Sequence, residues 1–300
     1  MLIKWADDLH RDLDGLNGLL ARPGLSAAAR RRIQEEIRTT KAGIAGESDA
    51  AYEINFYFGD SAKWAVIHGL RIEVGSRVAQ IDHLLVNRFL DIWVCETKHF
   101  AEGIGLNEHG EWVGFRHGRP FGIASPIEQN RKHVAVLRQA FDLGLVQLPR
   151  RLGIGLLPAI ESLVLVSGKA QIRRPEGRSA SRIDGLNSVI KVDQLRTTID
   201  RQIETESAIK VLRSGTHFVT AKTLEDFAWR LAALHKPKEV DWASRFGLAG
   251  TAIDRKPEPL VVRCAMCERL VTAGVVDYCQ DHRERFSGRI LCWNCQRVGL

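Results

Sequence analysis

Between Trp64 and Lys98 the chain carries three apolar, β-branched runs in close succession, WAVIHGLRIEV, VAQIDHLLVN and FLDIWVCETK. Runs of this length, rich in Val, Ile, Leu and aromatic residues, read as strands. Residues 1–45 read as an N-terminal helical segment, on the periodicity around SAAARRRIQEEIRTTKAG, and Gly43 and Gly46 are expected to interrupt it. A second helix is expected from about Ser48 to Phe58. Downstream, GIGLNEHGEWVGF alternates around Asn107 to Gly110 as a short hairpin. SPIEQNRKHVAVLRQAF has helical period and opens with Ser125 and Pro126, a cap and a first-turn proline. Further strands are expected at SLVLVS (162–167) and SVIKV (188–192), and further helices at DQLRTTIDRQI and TLEDFAWRLAALH. This order predicts an α/β core in which helices flank a central mixed sheet. Residues 236–259, with Pro237, Pro257 and Pro259, read as a linker to a small C-terminal module over 260–300.

The strands carry groups that a core does not want. Asp82 sits in the second run, and Glu96-Thr97-Lys98 ends the third. Alternate residues of a strand share a face, so Glu96 and Lys98 point the same way and Asp82 can lie beside them. Two carboxylates held close repel each other unless a cation neutralises them. Mg²⁺ takes hard oxygen ligands, commonly one or two carboxylates with waters and phosphate oxygens. A neighbouring lysine can orient a water or offset charge developing on a phosphate. Asp82, Glu96 and Lys98 thus supply the parts for metal-assisted phosphodiester hydrolysis. A plain surface pair between Lys98 and Glu96 is the alternative that spacing alone leaves open.

AGESDAAYE, QIDHLLV, WVCETK and SPIEQNRKHVAVL, in that order over about residues 46 to 140, resemble the nuclease-related domain, NERD, a branch of the PD-(D/E)XK nuclease superfamily. The resemblance implies a nuclease-like domain over 46–235, built on a central four-stranded mixed sheet flanked by helices. It implies that Asp82 and Glu96 bind Mg²⁺ (or Mn²⁺), that Lys98 is the lysine of the motif, and that Gln129 approaches the scissile phosphate. It also implies a helical glutamate, either Glu53 or Glu47. Glu53, set in the apolar AAYEINFYF, is the one expected here. The chain departs from the family where KHFAEG replaces the usual Gly-containing turn. His133, four residues after Gln129, shares its helix face and could touch substrate. His83 should point away from Asp82 as a structural histidine, and Cys95 should be a packing residue.

Five of the six cysteines fall between residues 264 and 295. Cys264-x-x-Cys267 and Cys292-x-x-Cys295 read as two zinc knuckles, because such turns place two thiolates on one ion and Zn²⁺ takes four ligands in a tetrahedron. The outer pairs resemble a zinc ribbon. A second set, Cys264, Cys267, Cys279 and His282, is chemically similar and stays open. Arg283, Arg285, Arg289 and Arg297 could contact phosphates, as could a basic loop carrying Lys169, Arg173, Arg174, Arg178 and Arg182.

The net charge of +7 leans weakly toward a polyanionic partner. The expected partner is nucleic acid, DNA ahead of RNA. No apolar run reaches the roughly 18 residues of a membrane helix, and MLIKWADDLHRDL lacks a signal peptide's apolar centre. A cytoplasmic setting is therefore expected, where thiols favour metal over disulfides. The rival expectation is a non-catalytic nucleic-acid-binding or protein-interaction module that retains the nuclease fold.

Overall fold

The structure is a computed structural model and describes residues 1–100, 102–107, 109–175, 184–205, 218–248 and 262–298. It opens with a short strand, β1 (Leu2–Lys4), and two helices, α1 (His10–Leu20) and α2 (Ala27–Ile54). The three apolar runs follow as β2 (Trp64–Val74), β3 (Arg77–Asn87) and β4 (Asp91–Lys98). Next come β5 (Gly103–Leu106), β6 (Trp112–Arg116), β7 (Arg119–Gly122) and α3 (Pro126–Asp142). The chain continues through β8 (Arg150–Arg151), β9 (Ile154–Gly155), β10 (Ala159–Val166), β11 (Gln171–Arg173) and β12 (Val189–Lys191). Helices α4 (Leu195–Thr205), α5 (Ala221–Ala232) and α6 (Trp242–Arg245) complete this part.

Six strands form the main sheet in the order β1-β2-β3-β4-β10-β12. Strands β2, β3 and β4 are antiparallel, whereas β1 runs parallel to β2 and β10 runs parallel to both β4 and β12. The expected four-stranded mixed sheet is thus β2-β3-β4-β10, widened by a short strand at each edge. The central strands are nearly continuous in apolar residues because both faces are covered. On one face α3 and α5 bring Val134, Leu137 and Phe227 against Ile67, Leu84 and Val94. On the other, α2 and α4 bring Ala50, Ile54 and Ile199 against Val66, Leu85 and Trp93. The expected hairpin is β5–β6, part of a second sheet ordered β11-β5-β6-β7.

Three local expectations are corrected. The N-terminal 45 residues are not helical throughout, because Leu2–Lys4 joins the sheet edge beside β2. Gly43 and Gly46 do not break the helix either, and α2 is one helix of 28 residues. Each glycine costs about 1 kcal/mol of helix propensity, and burial of Ile33, Ile37, Ala50 and Ile54 along one side of α2 outweighs it. The proline-bearing linker is also partly structured. Lys236 N–H donates to Arg71 O, and Trp242 Nε1 donates to Asp12 Oδ1 from α6. Residues 249–261, with Pro257 and Pro259, lie outside the described residues.

The chain divides into two compact units, Met1–Gly247 and Leu248–Leu300. The second contains α7 (Ala273–Asp281) and α8 (Trp293–Val298), an isolated bridge between Arg263 and Leu270, and a small core of Cys264, Val275, Cys279, Phe286 and Leu291. None of the described helices is long and apolar enough to cross a membrane.

Candidate active site and metal centre

The antiparallel ladder between β3 and β4 ends at His83 opposite Cys95, which sets Asp82 next to Glu96. Beyond that point Asp82 Oδ2 accepts a hydrogen bond from Thr97 N–H at 2.7 Å, so a carboxylate continues the cross-strand link. Glu96 and Lys98 lie on one face of β4, as the pleat requires. Glu96 Oε1 accepts from Lys98 Nζ at 2.7 Å and from Gln129 Nε2 at 2.7 Å. Lys98 Nζ also donates to Gln129 Oε1 at 2.9 Å, which closes a triangle of three side chains. Gln129 is held there by α3, whose first turn is capped by the Ser125 hydroxyl accepting from Glu128 N–H.

The helical carboxylate that meets this cluster is Glu47 and not Glu53. The two are six residues apart on α2, so Glu53 lies about 9 Å further along the axis and about 120° around it. Beside Glu47 the helix comes close to the end of β4. A Cβ placed on Gly46 would stand 2.6 Å from His99 Cβ, an approach that only glycine allows.

Glu47, Asp82 and Glu96 lie within electrostatic reach of one another, and Lys98 pairs with Glu96 among them. Burial raises the Asp82 carboxyl well above its ordinary range, and the negative charges of Glu96 and Glu47 raise it further, against the Thr97 N–H and the charge of Lys98. Glu47 is raised for the same reasons, burial first and then Glu96. The second oxygen of Glu96, Oε2, is buried without a hydrogen-bond partner among the described residues. It stands 3.3 Å from His133 Nδ1, within ion-pair reach but without hydrogen-bond alignment. Excess carboxylate charge together with an orphaned hard oxygen suits a divalent cation, although these carboxylate oxygens do not close up as the four cysteine sulfurs do.

Sequence reasoning missed Asn130. Its buried Nδ2 donates to Val94 O, Leu163 O and Ser162 Oγ, each at 2.9 Å, and so pins α3 across β4 and β10. The available signal was an Asn on the same helical face as Val134 and Leu137, where an apolar residue belongs. His133 is buried against Glu96, as its place one turn after Gln129 allows. His83 does point away from Asp82, toward His68 on β2. Cys95 is wholly buried, and burial pushes its thiol far above the ordinary range.

In the C-terminal unit the sulfur atoms of Cys264, Cys267, Cys292 and Cys295 all lie within 4.8 Å of one another. Sγ of Cys267 and Sγ of Cys292 are 3.6 Å apart. A tetrahedral Zn²⁺ with bonds of about 2.3 Å sets its sulfurs about 3.8 Å apart, whereas a disulfide needs about 2 Å. The cluster is therefore compatible with a zinc ribbon. Burial alone would raise the Cys264 thiol, but backbone N–H groups of Cys292, Met266 and Cys267 outweigh it and bring it to about 6. Preformed N–H donors aimed at sulfur suit a thiolate ligand. The alternative ligands are engaged elsewhere. Cys279 Sγ is buried and accepts from Leu291 N–H and Gln296 Nε2, and His282 Nδ1 is 2.9 Å from Tyr278 O.

Arg283, Arg285 and Arg289 are exposed on this unit. In the basic loop, Arg173 lies over the Phe115 ring and Arg174 donates to Val189 O. Arg178 and Arg182, and the side chain of Arg297, lie outside the described residues.

The family described as nuclease-related domain matches residues 42–167. That span begins in α2 just ahead of Glu47 and ends after β10, so it holds every member of the carboxylate cluster. No curated protein and no solved structure gives a significant match to the chain.

Proposed function

From the match of residues 42–167 to the nuclease-related domain family, we propose that the chain is a divalent-metal-dependent nuclease that hydrolyses phosphodiester bonds of DNA. The observation that carries this reading is the set of half-buried Glu47 and Asp82 and buried Glu96, whose negative charges act on one another beside Lys98. A pure interaction module gains nothing from buried like charges, which cost stability unless a cation meets them.

Asp82 and Glu96 hold the ion in this reading, with Glu47 on the helix completing the acidic wall. A bound Mg²⁺ or Mn²⁺ supplies Lewis acidity toward a phosphate oxygen and lowers the pKa of water. Lys98 orients the attacking water and offsets charge that builds on the phosphate. Gln129 keeps Lys98 and Glu96 in register through its two hydrogen bonds. The zinc module, through Arg283, Arg285 and Arg289, adds contacts to the phosphate backbone, and a reducing cytoplasm keeps its thiols available for metal.

The test is incubation of the purified full chain with plasmid and linear DNA in Mg²⁺ or Mn²⁺, beside Asp82→Ala. Cleavage by the wild type that is lost in the variant supports the reading. No cleavage of DNA or RNA under any divalent ion leaves the non-catalytic binding module in its place.

A further inference from the structure

A cavity of ≈ 420 Å³ shares Glu47 with the carboxylate cluster and is otherwise lined by residues with no part in the proposed chemistry, chiefly Trp5, Asp7, Tyr52, Asn55, His68 and His83. Trp5 and Tyr52 line it while remaining 65% and 69% exposed. Two large aromatic faces held open to solvent beside a cavity cost hydrophobic free energy, and a flat ligand that stacks on them recovers it.

The inner wall of the cavity has a definite hydrogen-bonding sense. His68 Nε2 lies 3.2 Å from Asn55 Oδ1, an atom that only accepts, so Nε2 carries the proton. His68 Nδ1 then bears the lone pair, and it sits 2.8 Å from His83 Nδ1, which must be the donor. His83 Nε2 is buried and without a partner among the described residues. The ligand that fits has an aromatic plane to lay against Trp5 and Tyr52.

The acidic groups narrow the choice further. Asp7 is bound by Lys4 and His235, and Asp8 by His10, so neither is a ready cation ligand. Their charge, with Glu47, repels a phosphate. The cavity therefore suits the base of a nucleotide rather than its phosphate.

We propose that this cavity binds one unstacked nucleobase of a single strand or frayed end, beside the carboxylates that would cut it. The identity of the ligand as nucleic acid rests on the nuclease reading above. A base of about 100–150 Å³ leaves room in such a cavity for its sugar, within the usual size range of small-ligand sites.

The experiment measures binding apart from cleavage. Full-length Asp82→Asn protein, with its zinc retained, is titrated with a labelled single-stranded oligonucleotide and with the same strand carrying abasic sites. Stacking on two aromatic faces predicts about tenfold or tighter binding of the strand with bases. Trp5→Ala/Tyr52→Ala, and separately Ser48→Trp, which fills the cavity from an exposed helix position, should each erase that difference. The slope of affinity against salt should stay as it was, because phosphate contacts are untouched. Equal binding of abasic and normal strands, or a difference that survives both variants, overturns the base site. Failure of the nuclease reading looks different, since wild-type protein then cleaves neither DNA nor RNA while base discrimination persists.

Discussion

Asp82 is half-buried among other carboxylates. Its carboxyl is raised well above the ordinary value of 3.8, so the folded chain binds a proton there more tightly than the unfolded chain. The associated stability is fully present below the ordinary carboxylate range and is lost as pH rises through the raised value. Without Mg²⁺ or Mn²⁺, the midpoint of thermal unfolding should therefore fall as pH climbs from about 4 toward neutrality. Asp82→Asn should flatten that slope, and added Mg²⁺ should reverse it in the wild type only. Melting curves across pH check this, and an equal slope in the variant would remove Asp82 as its source. Lys98 makes a kinetic prediction. Its charge acts where charge develops, so Lys98→Ala should lower the single-turnover cleavage rate by about 10²–10³-fold while changing DNA affinity little. Lys98→Arg should not restore full activity, because a planar guanidinium cannot replace a compact ammonium between Glu96 and Gln129.

At the level of elements, the site depends on how closely α2 and α3 approach the sheet. Gly43 and Gly46 lie one turn apart on the same helix yet face different surroundings. An added Cβ meets nothing within 4 Å at Gly43 but meets His99 at 2.6 Å at Gly46. Gly43→Ala should thus stabilise the fold by about 0.5–1 kcal/mol. Gly46→Ala should gain the same propensity yet lose stability and activity, because α2 must move away and take Glu47 with it. Chemical denaturation and cleavage assays on the pair decide this; matching gains would show that the approach of α2 is not constrained. On the opposite face, Asn130→Ala removes three hydrogen bonds that fix α3 over β4 and β10. A cost of about 1–3 kcal/mol is expected from the stranded acceptors, with a loss of activity through the displaced Gln129.

For the whole molecule, the two compact units should fail independently. The C-terminal unit has a core of five described residues, two of them cysteines, too little to hold a fold without help. Zinc would supply that stability. Cys264→Ser or Cys292→Ser should lose the metal and leave residues 262–298 open to protease, while the Met1–Gly247 unit keeps its unfolding transition. Cys279→Ser should keep zinc, since its sulfur lies outside the four-cysteine cluster. Elemental analysis of the three proteins reads this directly, and zinc lost only from Cys279→Ser would return the ligand set to Cys279 and His282. If the exposed arginines bind phosphate, loss of the module should also weaken DNA binding and flatten its dependence on salt.

The strands β2, β3, β4 and β10, helix α3 and the shared face of Glu96 and Lys98 were legible in the sequence because each rests on local rules, whereas Gln129 was expected only from the resemblance to the nuclease-related domain. Alternation sets which side chains share a strand face, and a Ser-Pro start with helical period sets where α3 begins. The two knuckles were equally plain, since a Cys-x-x-Cys turn is complete within four residues. The choice of Glu47 over Glu53 was not local. Both lie on one helix, and only the close contact of Gly46 with His99 determines which carboxylate reaches the sheet. The unbroken α2 and the strand at Leu2–Lys4 were likewise decided by packing, which offset glycine's propensity in one case and paired a free sheet edge in the other. The selection of Cys292 and Cys295 over Cys279 and His282 came from where the turns bring four sulfurs together. Sequence spacing specifies partners that are neighbours along the chain, and contacts between distant segments depend on which face each helix turns to the sheet, which only the folded core decides.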